Sequence, residues 1–168
     1  RNGQRDQGFT LIELMVVVLI IGILMAIAVP TFMGARKAAA ARAVEANLRD
    51  ALTAEQTYFS DAGGQLYGKA SEIQPLETSL QLSDAGSTTG GSGTTAPVSG
   101  SNNVSVYGTS AADATTVELG GRGSDNRCYY VYDNQGAVSY YIDASCGTPP
   151  VGGPAVGTNS LGAWSSTW

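Results

Sequence analysis

The 168-residue chain contains no histidine and only two cysteines, and charged residues make up just 14% of it. Without histidine it lacks the commonest general base and the commonest metal ligand, which excludes Ser-His-Asp and Cys-His catalytic sites. A net charge of −5 argues against general nucleic-acid binding, which needs a basic surface. The sequence therefore predicts no enzyme, no metal site and no cofactor, and nucleic acid is not expected as a main ligand.

The scarcity of charge is most pronounced near the N-terminus. Across residues 9–35 of this region Glu13 is the only charge, and residues 14–29 are unbroken apolar sequence apart from Gly22. This run approaches the roughly 20 residues that an α-helix needs to cross a bilayer. It exceeds the apolar core of about 7–15 residues in a cleaved secretory signal, so we expect it to be retained. A carboxylate deep in such a segment costs about 2.5–3.5 kcal/mol on insertion scales, so Glu13 is expected to have a partner.

A second helical segment follows the apolar one. Residues 35–59 contain no glycine or proline and are rich in helix-favouring residues. Their larger apolar side chains fall mostly on one helical stripe, which predicts an amphipathic helix packed on a globular domain. These side chains are Val44, Leu48, Ala51, Leu52, Tyr58 and Phe59. Glycines 63 and 64 are expected to end the helix. The stretch from Gly22 to Pro30 is its weak point, because proline removes one backbone hydrogen bond.

The remaining residues predict a small β-rich head. Residues 71–82 have a short helical or turn-like pattern, and residues 83–103, rich in serine, threonine and glycine, predict a long flexible loop. Alternating apolar runs then predict strands. The runs are residues 104–107, 115–119, 128–133 and 137–143. The last two are expected to form a hairpin, since Gly136 in the turn between them can adopt a positive φ. Trp164 and Trp168 indicate that the uncharged C-terminal tail packs on the head.

The two cysteines lie close together in the C-terminal part of the chain. In an exported domain Cys128 and Cys146 are expected to form a disulfide, whereas in the cytosol they would be free thiols. A hairpin centred between Asn134 and Gln135 would place Cys128 opposite Tyr141. Cys146 would then have to fold back from beyond the strand end. The disulfide would close a loop of about 18 residues and stabilise the fold by roughly 3 kcal/mol, through the lower entropy of the unfolded chain.

The sequence GFTLIEL, which begins at Gly8 and is followed by Gly22 and Pro30, resembles the N-terminus of type IV pilins. The resemblance implies an α+β, type IV pilin-like fold, in which a long N-terminal helix packs on a small antiparallel β-sheet head with a C-terminal disulfide loop. It implies a prepilin leader at residues 1–8, a helix at residues 9–60 and a globular β-rich head at residues 61–168. Residues 9–35 would form the transmembrane and filament-core half of the helix.

The resemblance also implies roles for single residues. In that family a membrane-embedded prepilin peptidase cuts after the glycine and methylates the new terminal residue, which implies a cut between Gly8 and Phe9. Glu13 would pair with the Phe9 amine of a neighbouring subunit, which supplies the partner that an intramembrane acid requires. Gly22 and Pro30 match the positions between which pilin helices melt in assembled filaments.

The expected function is that of a structural subunit, a major one, of a type IV pilus. The protein would span the cytoplasmic membrane once with its head outside, in contact with the lipid bilayer, prepilin peptidase and the pilus assembly machinery. It would then polymerise with identical subunits into an extracellular helical filament. Two alternatives are open, a type II secretion-type pseudopilin and an anchored surface domain that binds a ligand without polymerising. Glu13 separates the last from a pilin, because an inert anchor has no use for it.

A small basic group follows the apolar segment and consists of Arg36, Lys37 and Arg42. Three interpretations are open: contact with lipid headgroups, a salt bridge inside a filament, or a solvated helix face. Local charge counting, with Arg1 and Arg5 on the other side, favours the opposite orientation in the membrane. The cysteine pair and the peptidase motif nevertheless place the head outside.

Overall fold

A computed structural model describes residues 8–64, 66–85, 96–100, 102–107, 115–144, 146 and 165–168. These residues form a long helix, a short helix and a five-stranded sheet. The helices are α1 (Leu11–Asp61) and α2 (Ala70–Ile73), and the strands are β1 (Gln81–Asp84), β2 (Asn103–Tyr107), β3 (Thr116–Arg122), β4 (Cys128–Asn134) and β5 (Ala137–Asp143). The chain divides into two compact units, a first that ends at Ala38 and a second that begins at Ala39.

The part of α1 in the second unit buries one face against the sheet. The predicted stripe forms the centre of this contact, with Val44, Leu48, Ala51 and Leu52 all buried. They pack with apolar side chains from the facing side of the sheet, among them Val104, Val106, Val117, Leu119 and Val131. Tyr58 and Phe59 are only partly buried at the edge of this core. The amphipathic pattern therefore identified the packed face of the helix correctly.

Two glycines end α1 where the sequence predicted. Gly63 and Gly64 adopt φ angles of 78° and 74°, which side chains with a Cβ rarely adopt. The backbone N–H of Gly64 donates to the Phe59 carbonyl at 2.8 Å, which satisfies one of the carbonyls left open at the helix end.

The five strands run in the order β1-β2-β3-β4-β5. Pairs β2–β3, β3–β4 and β4–β5 are antiparallel, whereas β1 pairs with β2 in parallel. The sequence pattern had placed residues 71–82 in a helical or turn-like segment and predicted an antiparallel sheet. The antiparallel expectation is confirmed for three of the four pairings and fails only at β1. Helix α2 and the turn after it confirm the helical or turn-like segment, except that its last two residues begin strand β1.

The edge strand β1 is held by contacts that no local pattern shows. Gln74 accepts the N–H of Leu82 at 2.9 Å and donates its side-chain amide to the carbonyl of Leu80 at 2.8 Å. Asp84 accepts the N–H of Ala70 at 2.9 Å. Unpaired backbone N–H and C=O groups at a sheet edge can pair with another chain and cause aggregation. The Gln74 side chain forms the hydrogen bonds with β1 and the residue before it that a further strand would otherwise form.

The β4–β5 hairpin has a different register from the predicted one. Its turn consists of two residues, Gln135 and Gly136, with φ angles of 52° and 92°. Positive φ at both positions is typical of the type I′ turn that matches the twist of a hairpin. Asn134 therefore pairs with Ala137, and Cys128 lies opposite Asp143 rather than Tyr141.

The disulfide joins Cys128 to Cys146, with Cα atoms 4.8 Å apart. Cys146 lies beyond the end of β5, so the chain folds back to reach the start of β4, as predicted. Cys128 is buried on the sheet face opposite α1, in a second apolar cluster with Tyr107, Tyr130 and Tyr141.

The C-terminal end of the chain packs on the edge of the sheet. Ser165 exchanges two backbone hydrogen bonds of 2.8 Å with Tyr140 in β5. The ring of Trp168 lies 4.7 Å from that of Tyr140 and 5.9 Å from that of Tyr129. The predicted packing of the tail is confirmed for Trp168, whereas Trp164 and residues 86–95 of the predicted loop lie outside the described residues.

Gly121 in β3 allows α1 to approach the sheet closely. A Cβ at this position would lie 2.7 Å from Cγ1 of Val44, closer than Cβ atoms approach other atoms in proteins. We expect Gly121→Ala to lower the free energy of unfolding by about 1–3 kcal/mol, because helix and sheet would have to move apart. Thermal unfolding of the full chain in detergent, followed by tryptophan fluorescence, measures the change.

The matched control for this substitution is Gly34→Ala. It adds the same methyl group to α1 at a position where nothing lies within 4 Å. We expect its unfolding temperature to stay at the wild-type value or rise slightly, because alanine favours a helix more than glycine does. Equal stability of Gly121→Ala and the wild type would show that the close approach is not needed.

Candidate assembly site at the start of the long helix

The first unit contains the residues that the sequence assigned to processing and assembly. Gly8 and Phe9 precede the first helical residue and are exposed, Phe9 by 92%. Glu13 lies in the first turn of α1, and Gly22 and Pro30 lie further along the same helix. The structure thus brings Gly8, Phe9 and Glu13 close together at the helix start and leaves Gly22 and Pro30 more than two turns away.

The Glu13 carboxylate is held at the helix start by Thr10. The backbone N–H of Thr10 donates to Oε2 of Glu13 at 2.9 Å, and the Thr10 hydroxyl donates to the same oxygen at 2.7 Å. In return the Glu13 N–H lies 3.3 Å from Oγ1 of Thr10. This arrangement is a capping box, in which the residue before the helix and its third residue satisfy each other's polar groups.

Only one of the two Glu13 oxygens takes part in this arrangement. Among the residues that the structure describes, no donor contacts Oε1. Oε2 of Glu13 is therefore bound within its own helix, whereas Oε1 can accept a hydrogen bond from another group. The role of Thr10 was not predicted, although the spacing Thr-x-x-Glu ahead of an apolar run is the usual sequence signature of a capping box.

The apolar half of α1 makes no core of its own within the first unit. Large apolar side chains between residues 11 and 33 are 44–76% exposed. An 18-residue window of this helix has a mean hydropathy of 3.0 and no buried residues. By length and composition, α1 can cross a membrane. So large an exposed apolar surface requires either lipid or other apolar helices around it.

The helix continues without interruption through Gly22 and Pro30. Pro30 has no N–H to donate to the carbonyl of Ala26, four residues earlier. The hydroxyl of Thr31 donates to two other carbonyls of the same turn, those of Ala28 at 2.9 Å and Ile27 at 3.3 Å. A Cβ at Gly22 would meet nothing within 4 Å, so packing inside this chain does not require glycine there. The melting of this stretch in a filament stays a prediction.

Two buried acids in the second unit are the other unusual polar groups. Glu55 on α1 accepts the N–H of Gly68 at 2.9 Å with one oxygen, and its other oxygen has no partner. Neither oxygen of Glu118 in β3 has a partner. Burial raises the pKa of each carboxyl to about 8. Acids with a raised pKa occur in active sites, but these two lie on opposite faces of the sheet and so do not form one site.

Metal binding has no support in the described part of the chain. No group of three or more cysteine, aspartate or glutamate side chains that could hold an ion is found there. The described residues of the second unit therefore provide a packed scaffold with a disulfide, and the distinctive chemistry of the chain lies at the start of α1.

Comparison with known proteins agrees with this location. Residues 3–29 match a family profile described as the prokaryotic N-terminal methylation motif. The type IV major pilin protein PilA of Myxococcus xanthus is 46% identical over 61 residues, which cover 36% of this chain but only 28% of that protein. No solved structure matches significantly.

Two pilins of Thermus thermophilus extend the match beyond the N-terminus. The type IV wide pilus major component PilA4 is 40% identical over 67 residues, or 40% of this chain and 51% of that protein. The type IV narrow pilus major component PilA5 is 35% identical over 118 residues, which cover 70% of this chain and 91% of that protein. With a long apolar N-terminal helix, a mostly antiparallel sheet and a C-terminal disulfide, the chain belongs to the type IV pilin family, the structural subunits of type IV pili.

Proposed function

We propose that this pilin is a major subunit of its pilus, cut between Gly8 and Phe9 and polymerised through α1. The observation that carries the proposal is the Glu13 carboxylate, set in an exposed apolar helix. Thr10 donates to one of its oxygens, and no described residue donates to the other. A carboxylate in apolar surroundings is stabilised most by a cation that has also been removed from water, because the attraction between the two charges is then weakly screened. The amine of Phe9 in a neighbouring subunit, created by the cut, is a cation of this kind.

The Gly8–Phe9 bond is suited to a peptidase at the membrane surface. Both residues are exposed, and the bond lies two residues ahead of the first helical residue, Leu11. A peptidase therefore reaches this bond without unwinding α1. The same enzyme type would methylate the new amine of Phe9, which leaves a small cation that still carries its charge.

Polymerisation follows from the exposed apolar surface of the first unit. Before assembly, lipid tails cover the side chains of residues 9–35 in the cytoplasmic membrane, with the second unit outside. In the fibre the apolar helices of other subunits replace the lipid, so little apolar surface meets water in the exchange. The pilus assembly machinery would carry out this transfer. No catalytic role is proposed for the chain.

The relatives support a major subunit rather than a pseudopilin. All three are named as major pilins or major pilus components. The direct test is to shear fibres from the cell surface, image them by negative-stain electron microscopy and identify their main protein by mass spectrometry. We expect this chain to be the main component. Fibres that lack it, or its absence from any surface fibre, would contradict the proposal.

Gly8→Ala is expected to slow or block processing. A Cβ at Gly8 would meet nothing within 4 Å, so the substitution leaves the fold of the chain unchanged and acts on recognition by the peptidase. Mass spectrometry of the membrane-bound protein should then show a species that retains the residues before Phe9. Gly34→Ala, which also adds a methyl group in open space, is the control and should be processed normally. If the Gly8→Ala protein were instead cut normally and its mature mass equalled that of the wild type, this cleavage site would be refuted.

A further inference from the structure

Two unpaired cations lie at the end of the first unit, just after the apolar part of α1. Arg36 and Lys37 are both exposed. Within the described residues neither of them forms an ion pair. The chain as a whole has a net charge of −5, yet no acid stands between Glu13 and these two residues. The described part of the chain thus offers them no acidic partner.

Arg36 is directed back towards the apolar segment. Its guanidinium carbon lies 5.8 Å from the centre of the Phe32 ring, one helical turn earlier, within the range of a cation–π contact. Long basic side chains near the ends of membrane helices extend their charged groups to the polar headgroup layer. Arg36, whose guanidinium lies over the Phe32 ring at the end of the apolar run, has the position of such a side chain.

The position of the cations along α1 also fits a membrane boundary. Glu13 and Arg36 are 23 positions apart with no charge between them. At about 1.5 Å per residue this helical stretch measures roughly 35 Å. The hydrocarbon core of a bilayer is about 30 Å thick, and the headgroups begin just beyond it. With Glu13 at one boundary, Arg36 and Lys37 reach the headgroup layer on the other side.

We infer that Arg36 and Lys37 bind the phosphates of anionic lipids in the outer leaflet of the cytoplasmic membrane. The inference rests on the proposed membrane-anchored state of the unassembled subunit. The planar guanidinium of Arg36 can donate two parallel hydrogen bonds to one phosphate, and Lys37 adds a second positive charge. Basic residues are normally in excess on the cytoplasmic side of a membrane helix, and Arg36 and Lys37 would lie on the other side. Bound anionic lipid would offset the cost of that placement.

Native mass spectrometry of the full chain in detergent micelles tests the inference. The chain is supplied with phosphatidylglycerol or phosphatidylcholine, which both carry a phosphate but differ in net charge. We expect phosphatidylglycerol to be retained several times more strongly. Each basic residue near a charged lipid surface contributes roughly a fivefold gain in affinity, so the double variant R36Q/K37Q should lose about 25-fold.

The matched control is Arg49→Gln, an exposed arginine further along α1 that should keep the wild-type lipid preference. Equal retention of the two lipids by the wild type would overturn the inference. So would a loss of phosphatidylglycerol affinity in Arg49→Gln as large as that in R36Q/K37Q. So would an R36Q/K37Q variant that keeps its lipid preference but forms few fibres, since the two cations would then pair with an acid inside the fibre. Because the assay measures lipid on the unassembled chain, its outcome does not depend on whether Glu13 directs polymerisation.

Discussion

Glu13→Ala is expected to leave the protein in the membrane fraction and to abolish its fibres. Alanine removes an isolated charge from an apolar helix, so membrane insertion should be as good as in the wild type or better. In the fibre, however, the amine of a neighbouring Phe9 would lose its counter-charge in apolar surroundings. Removing one partner of a buried ion pair costs about 3–5 kcal/mol, which corresponds to a fall of at least a hundredfold in the affinity of subunit addition.

Fibres counted per cell by negative-stain electron microscopy, with the pilin in membranes measured by immunoblot, check this prediction. Two further variants separate the charge of Glu13 from its capping role. Glu13→Gln keeps an oxygen that can accept from Thr10 but has no charge, so it should also lack fibres. Thr10→Val removes the hydroxyl that contacts Glu13 at 2.7 Å and keeps the charge, so it should retain most of them. Normal fibres in Glu13→Gln would contradict the ion-pair role.

The second large effect is a loss of stability of the second unit as the pH rises from 5 to 8. Glu55 is fully buried between α1 and the sheet, and burial raises its pKa to about 8. The hydrogen bond from Gly68 opposes this rise, and the nearby carboxyls of Glu72, Asp84 and Asp133 add to it. Because Glu55 has an oxygen without a partner, its charged form gains too little within the fold to offset the loss of water.

Glu118 adds a second, independent contribution on the other face of the sheet. Its side chain is fully buried next to Tyr107 and Tyr132 on neighbouring strands, and burial raises its pKa to about 8 as well. In the unfolded chain both acids titrate near their ordinary value of about 4.3. Between that value and 8 the unfolded chain loses protons that the folded chain keeps.

The direction of the effect follows from this difference in bound protons. Stability falls as the pH rises wherever the folded state holds more protons, by about 1.4 kcal/mol per pH unit for each group. The stabilisation is complete below about pH 4 and is lost as the pH approaches 8. Between pH 5 and pH 7 the expected loss is on the order of 2–3 kcal/mol per carboxyl. Most proteins are instead destabilised by acid over the lower part of this range.

Thermal unfolding of the full chain in detergent at pH 5, 6, 7 and 8 measures the loss, with Trp168 as a reporter because it packs on Tyr129 and Tyr140. Glu55→Gln and Glu118→Gln should each remove part of the pH dependence, since glutamine does not titrate. Glu77→Gln is the control: Glu77 is only partly buried and accepts hydrogen bonds from Ser79, which lower its pKa, so its stabilisation is lost only as the pH falls. An unfolding temperature that stays constant from pH 5 to 8 would refute the prediction.

The residues of the candidate site can be identified in the sequence, and their roles stay predictions. A single acid in a long apolar run is visible without a structure, because the cost of a charge in lipid depends on composition alone. The packed stripe of α1 was equally visible, since a helix repeats every 3.6 residues whatever it packs against. The capping role of Thr10 was also within reach, because a capping box involves residues three positions apart.

Other features could not be predicted because they depend on residues far apart in the chain. Glu118 alternates with Val117 and Leu119, a pattern that predicts a solvent-exposed side chain, yet both faces of β3 are covered and the acid is buried. Strand β1 contains few apolar residues and is held by the Gln74 side chain, so its local pattern favoured a turn.

The sequence by itself determined the long apolar helix and the position of its single charge, because hydropathy, helical period and the N-terminal motif are properties of neighbouring residues. Only the tertiary structure decided the parallel pairing of β1, the register that places Cys128 opposite Asp143, and the burial of Glu55 and Glu118. Those features arise where segments distant in the chain meet, and the free energy of such contacts is set by the fit between the segments rather than by either one alone.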